Sequence, residues 1–320
     1  MKLLISLILL FSFVARAEDT VRIGWQVPWA TQGQIVQVLK HTDILKKNGL
    51  KAEFVGKTFG PELNELAMAG AIDVVLTADQ PAITLFSKDK GWKAIGRLMY
   101  NRTATYVPPS SPIQKISDLK GKTVGVPIGA AAERVLKESL KANGVALSDV
   151  KFVNLGIMEH GPLIQKDKDG KTWGQFDALS GFDPAPAILQ SKGLIRVIDT
   201  GRVTSMVLMN EKMLKAKPAI ARKMMLAVFD AYDYYRQHTA EANTWFLAEA
   251  GLKGGDQKAC ELAAELEPNL KATKRSDMSL TISSEDLAKL KDVANFLEPQ
   301  IKKNVDVAKY IDDSAAKNLK

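Results

Sequence analysis

The residue types that carry most enzyme chemistry are present here without the spacing that chemistry needs. His41, His160 and His238 are too scattered to suggest a metal cluster, and neither an H-E-x-x-H helix nor a G-x-S-x-G nucleophile turn occurs. Gly121-Lys122-Thr123 has the tail of a phosphate-cradling loop, but Ile116 stands where the leading glycine belongs and a strand follows instead of a helix, so it reads as a turn. Asp167-Lys168-Asp169-Gly170 has part of a calcium loop without the later glutamate and reads as an Asp-Gly turn. The one cysteine, Cys260, excludes an internal disulfide and a thiolate metal cluster. These residues predict no catalytic centre, no metal and no cofactor.

A different pattern repeats four times: a strand ends, a small or polar loop follows, and a helix starts. The four junctions are Trp25-Gln26-Val27-Pro28-Trp29-Ala30-Thr31, Thr77-Ala78-Asp79-Gln80-Pro81, Pro127-Ile128-Gly129-Ala130-Ala131 and Ser180-Gly181-Phe182-Asp183-Pro184. Beyond the carboxyl ends of parallel strands, unpaired helix-start amides and the positive end of the helix dipole collect, and ligands bind there. The candidate contacts are therefore Trp25, Trp29 and Phe182 as apolar or cation-π walls, with Gln26, Thr77 and Gln80 as polar partners. Gly129, Ala130 and Ala131 are small enough to let backbone amides approach an anionic head. Asp79 and Asp183 each precede a proline-bearing helix start, so each is a cap contributing about 1 kcal/mol, a solute contact, or both. Glu133 is spaced to reach back to its own helix start. The competing readings are burial under the helical tail for the tryptophans and tight strand-helix packing for the small residues.

The elements that would hold these loops alternate strand and helix, the order of an α/β fold with a largely parallel sheet. Strands are predicted at 21–26, 51–59, 72–77, 94–99 and 103–107. After the turn-rich Pro108-Pro109-Ser110-Ser111-Pro112 they resume at 122–127, 150–155, 176–181, 194–199 and 203–210. Helices are predicted at 34–48, 62–69, 81–88 and 130–143, and the chain from 217 reads almost wholly as helix, at 220–236, 240–250 and 284–303. Two crossings between the strand sets imply two lobes with a double connection: 18–107 with 205–320, and 108–204. The 320 residues, 46% hydrophobic and 25% charged, suffice for such a core.

Lys2, the apolar run Leu3 to Val14 and Ala15-Arg16-Ala17 have the form of a cleaved export signal, with cleavage expected after Ala17, and the run is short for a membrane span. No cysteine follows it for lipidation, so the mature chain is expected free in the periplasm. Without Lys2 and Arg16 the 44 basic residues become 42 against 36 acidic, a net charge of +6. The lysines are dispersed, with no basic run interleaved with aromatics, which predicts a solvated surface and no nucleic-acid partner.

The opening VRIGWQ, GAIDVVLTADQPAI (70–83), SDLKGKTVGVPIGAAAERVLKESLKANGV (117–145) and FDALSGFDPAPAIL (176–189) together resemble the periplasmic solute-binding proteins of ABC importers that handle nitrate, taurine, aliphatic sulfonates and the thiamine-precursor pyrimidine. The resemblance implies a two-lobed, type II periplasmic-binding-protein fold with an interlobe cleft, a solute trapped by hinge closure, a monomer, and an inner-membrane permease with its ATPase as partner. Phe182 and Asp183 stand where relatives often carry Trp and Glu, and the stretch 165–173 is longer than usual, so the solute is left open between a sulfonate, taurine or nitrate and an amine-bearing or heterocyclic molecule. Two other readings of the family are a binding lobe feeding a sensor and a pyrimidine-synthesising enzyme. The enzyme brings a cysteine-rich segment that this chain lacks.

Overall fold

A computed structural model describes residues 18–167, 170–251 and 254–319. The expected export signal, 1–17, and Lys168-Asp169 of the expected Asp-Gly turn lie outside the described residues. Among those described, eight strands form one sheet: β1 (Asp19–Gln26), β2 (Leu50–Lys57), β3 (Val74–Ala78), β4 (Trp92–Val107), β5 (Thr123–Val126), β6 (Lys151–Asn154), β7 (Ala178–Phe182) and β8 (Arg196–Asn210). Their order is β2-β1-β3-β8-β4-β7-β5-β6. The helices that follow or flank them are α1 (Gln32–His41), α2 (Ile44–Lys47), α3 (Gly60–Met68), α4 (Asp79–Lys88), α5 (Ala131–Ala142), α6 (Ile157–Lys166), α7 (Ala185–Ser191), α8 (Glu211–Ala216), α9 (Ile220–Gln237), α10 (Thr239–Ala250), α11 (Gln257–Ala263) and α12 (Ser284–Ile301).

Parallel strands build each end of the sheet. β1 pairs with β2 and β3 at one end, and β5 pairs with β6 and β7 at the other. The long strands β4 and β8 run antiparallel through the middle, from Trp92 opposite Asn210 to Val107 opposite Arg196. β8 offers its Ser205–Met209 stretch to β3, while β4 offers Thr103–Tyr106 to β7. This two-strand ribbon is the covalent bridge between the two sets of parallel strands.

Sequence patterning splits each ribbon strand in two, whereas the structure runs 94–99 into 103–107 and 194–199 into 203–210. Tyr100, Asn101 and Arg102 interrupt the apolar alternation, yet distant residues satisfy them. The Tyr100 N–H donates to Glu267 at 2.8 Å and its hydroxyl to Asp286 at 2.9 Å, Asn101 donates to the Ala30 carbonyl, and Arg102 pairs with Asp183 at 2.6 Å. Glu267 also holds the buried Arg97 at 2.7 Å, so the C-terminal segment clasps the ribbon. The predicted helix 34–48 is likewise divided, because the Thr42 hydroxyl donates to the Val38 carbonyl and accepts from Ile44 N–H.

The apolar faces pack on both ends of the sheet. Val21 and Ile23 of β1 meet Ile35 and Val38 of α1 and Met224, Val228 and Tyr232 of α9, while Val124 of β5 meets Leu136 and Leu140 of α5. No helix among the described residues is long and apolar enough to cross a membrane, and no group of three or more His, Cys, Asp or Glu there could hold a metal ion.

Candidate functional site

The β1–α1 and β3–α4 junctions carry buried polar atoms with no protein partner: Gln26 Oε1, Trp29 Nε1, Thr31 Oγ1, Gln32 Nε2, Thr77 Oγ1 and Gln80 Oε1. Local geometry explains why they are left open. Thr31 is the cap residue of α1 but has helical backbone angles, φ −79° and ψ −12°, so its hydroxyl is not spent on the helix. Gln32 turns its oxygen back to accept the Gln26 N–H at 2.6 Å, which leaves its amide nitrogen free. Burying such groups unpaired costs roughly 1–3 kcal/mol each, so their concentration at two neighbouring loops marks a place where a partner is expected.

The opposite junctions are closed on themselves. The Gly129 N–H donates to Glu133 Oε2 at 2.7 Å and the Ala130 N–H to the Pro127 carbonyl at 3.2 Å, so neither amide is free in the way the sequence suggests. Glu133 thus reaches back to its helix start as its spacing predicts. Ala131 opens α5, and its N–H has no acceptor within the helix. Asp183 precedes the cap residue Pro184; its Oδ1 accepts the Ala187 N–H at 2.9 Å, and its Oδ2 takes Arg102 Nε at 2.6 Å. Burial pushes the Asp183 carboxyl above its ordinary pKa even beside that guanidinium. This aspartate is committed to its helix start and to the ribbon.

Three contacts join the two sides. Trp29 and Phe182 meet with ring centroids 5.5 Å apart, tilted by 59°. Asp79 Oδ2 accepts from Arg134 Nη2 at 2.8 Å, with both side chains only 5% exposed, and Gly129 faces Pro61 closely enough that a β-carbon would lie 3.5 Å from its ring. The sequence reading of Asp79 as a cap needs correction: α4 begins at Asp79, Ala78 is the cap residue, and Asp79 Oδ1 accepts the N–H of the next residue, Gln80, at 2.7 Å. Trp25 stays behind the junction, packed in the core with the Lys40 ammonium 5.5 Å from its ring. His160 lies inside α6, buried against the Tyr106 hydroxyl, and burial lowers its pKa to about 4.

Gathered residues are close-packed, and the open space lies beside them. A pocket of about 350 Å³ lined by Val27, Pro28, Lys57, Glu62, Met158 and Ala250 opens at the mouth between the two sides. A second cavity, about 380 Å³ and mostly apolar, sits between α6 and α7 and shares none of the predicted contacts. Sequence reasoning missed Thr31, Gln32, Asn101 and Arg134. Glutamines at 32, 34 and 37 on a helix that buries almost its whole length were the available signal for Gln32. Arg134 had none, because its partner Asp79 is 55 residues away.

An α/β chain whose parallel strands fall in two sets, joined by an antiparallel ribbon and facing each other through strand-to-helix loops, has the periplasmic-binding-protein fold. Residues 40–242, more than half of the chain, match the NMT1/THI5-like family, and the chain belongs to that family. No curated protein matches its sequence. Among solved structures it is similar to the alkanesulfonate-binding protein SsuA of Xanthomonas axonopodis pv. citri bound to MOPS, at 20% identity and a TM-score of 0.73, covering 93% of this chain and 99% of that one. The periplasmic aliphatic sulphonate binding protein SsuA of Escherichia coli gives 19% identity and a TM-score of 0.74, with 92% of each chain covered. The desulfurization enzyme DszB gives 15% identity and a TM-score of 0.67, covering 94% of this chain and 98% of that one.

Proposed function

We propose that this chain is the solute-binding component of an ABC importer, exported to the periplasm, which captures one small solute between its halves and delivers it to an inner-membrane permease and its ATPase. The halves are 18–107 with 205–320, and 108–204, hinged on β4 and β8. The observation that carries the reading is the set of unpartnered buried atoms on the β1–α1 and β3–α4 loops, lying where Trp29 meets Phe182 and Asp79 meets Arg134. A solute that pairs with those atoms only when the halves are together stabilises the closed form by its differential affinity. Gln26, Trp29, Thr77 and Gln80 hold the solute, Phe182 and Ala131 cover it, and Trp25, Gly129, Ala130 and Asp183 shape the site. The sulfonate-binding names of the two SsuA neighbours and the amine or heterocycle alternative define the solutes to screen.

An enzyme on this fold is the rival reading, because DszB shares it. The one cysteine here argues against cysteine chemistry: Cys260 is buried in α11, and burial raises its thiol pKa to about 12, leaving almost no thiolate at neutral pH. A thermal-shift screen tests the capture reading. A solute at a hundred times its Kd is expected to raise the melting temperature by on the order of 5 °C. A broad screen of small solutes with no shift, or turnover of one without stable capture, refutes it.

A further inference from the structure

We propose that Asp79 sets the charge of the solute: by occupying Arg134, it makes the cleft select an uncharged, hydrogen-bonding molecule and reject sulfonate or nitrate. The inference rests on the capture reading above and specifies its ligand. Arg134 is the guanidinium that reaches the gathered junctions from α5, and its two terminal nitrogens are spent at 2.8 Å on Asp79 and at 2.8 Å on Glu138. Its Nε is buried with no partner. Arg102, the other nearby guanidinium, is held by Asp183. Lys57 lies outside this set, at the outer mouth with Glu62.

The helix starts give the same result by an independent route. Anions bind where a helix presents free N–H groups and the positive end of its dipole. At α4 and α5 those places already hold carboxylates of this chain. Asp79 takes the Gln80 N–H at the start of α4, and Glu133 takes the Gly129 N–H at the start of α5. An incoming sulfonate would lose its hydration and meet no uncommitted cation among these groups, because Arg134 is paired with Asp79 and Lys137 with Glu133. Apart from the Nε–H of Arg134, whose guanidinium is already paired at both termini, what remains open is neutral and of both hydrogen-bonding senses: the Gln26 and Gln80 amide oxygens, the Gln32 amide nitrogen, the Thr77 hydroxyl and the Trp29 indole N–H. An amide or amino-heterocycle, which carries donors and acceptors without net charge, matches that set.

The test titrates the wild-type protein, Asp79→Asn, Glu133→Gln and the double variant Asp79→Asn/Arg134→Gln with butanesulfonate, nitrate, nicotinamide and 2-aminopyrimidine. Each shift is read against that protein's own ligand-free melting temperature. Asp79→Asn is expected to bind butanesulfonate at least tenfold more tightly than wild type, and the double variant to lose that gain. Glu133→Gln is expected to show a smaller gain, which provides a second reading if Asp79→Asn folds poorly. Wild type that binds butanesulfonate or nitrate as well as Asp79→Asn does overturns the inference and leaves capture standing. If no probe, anionic or neutral, and no solute of the broader screen moves the melting temperature of any variant, the capture reading fails and this inference with it.

Discussion

The two pairs of junctions have the same outline, strand then loop then helix, and opposite hydrogen-bond states. At β5–α5 and β7–α7 the chain answers its own polar groups: Glu133 holds the Gly129 amide, and Asp183 holds both Arg102 and the Ala187 amide. At β1–α1 and β3–α4, Thr31, Thr77, Gln26 and Gln80 keep buried atoms open. A closed hydrogen-bond set contributes rigidity, and an open one contributes affinity that appears only when something fills it. Under the proposed capture reading, the contrast divides labour between the halves: the half carrying β1 and β3 would recognise the solute, and the half carrying β5 and β7 would be a preformed lid that brings Phe182 and Arg134 down on it.

That division predicts opposite outcomes for substitutions on the two sides. The largest effect belongs to the lid. Asp183→Ala leaves Arg102 buried without its counter-charge and is expected to cost about 3–5 kcal/mol in urea unfolding. A cost below about 1 kcal/mol would mean that the Asp183–Arg102 pair does not hold the lid to the ribbon. Next is the pH response of His160, whose pKa is about 4 when folded against about 6.5 when free. Above pH 6.5 both states are neutral and nothing changes. As the pH falls from 6.5 towards 4, the unfolded chain takes a proton that the folded chain refuses, and about 3 kcal/mol of stability is lost. Unfolding followed across that window should show the slope in wild type and lack it in His160→Gln.

Thr77→Val sharpens the contrast from the recognising side. It removes a buried hydroxyl that lacks a partner, so the ligand-free protein should be as stable as wild type or more stable by about 1 kcal/mol, while solute affinity falls. Lower ligand-free stability would show that the hydroxyl already has a partner. The smallest change is Gly129→Ala. With φ at +84° and no neighbouring atom closer than 3.5 Å to the new methyl, backbone strain alone should cost about 1 kcal/mol in thermal unfolding.

Legibility in the sequence followed range. Elements fixed by local pattern, such as β1, α9 at Ile220–Gln237 and α12 from Ser284, lie close to where periodicity and capping residues set them, and the four junctions were readable as strand ends meeting helix starts. The ribbon was not readable as two continuous strands. Its middle is polar, and the groups that satisfy Tyr100 and Arg102 come from Glu267, Asp286 and Asp183, the nearest of them 81 residues away. The same distance hid the Arg134 pairing with Asp79. Sequence also suggested that the small residues Gly129 and Ala130 offer free amides, although the Glu133 reach-back that its spacing predicts takes the Gly129 amide; the Pro127 carbonyl that takes the Ala130 amide shows its effect only once the turn is built.

The division of labour is tested most directly by isothermal titration of wild type and Gln80→Leu with the first solute found to raise the wild-type melting temperature. The account predicts an unchanged or higher ligand-free melting temperature for Gln80→Leu together with a Kd weakened at least tenfold. Equal affinity in the two proteins, or a solute that still binds when Gln80 and Thr77 are both made apolar, would contradict it.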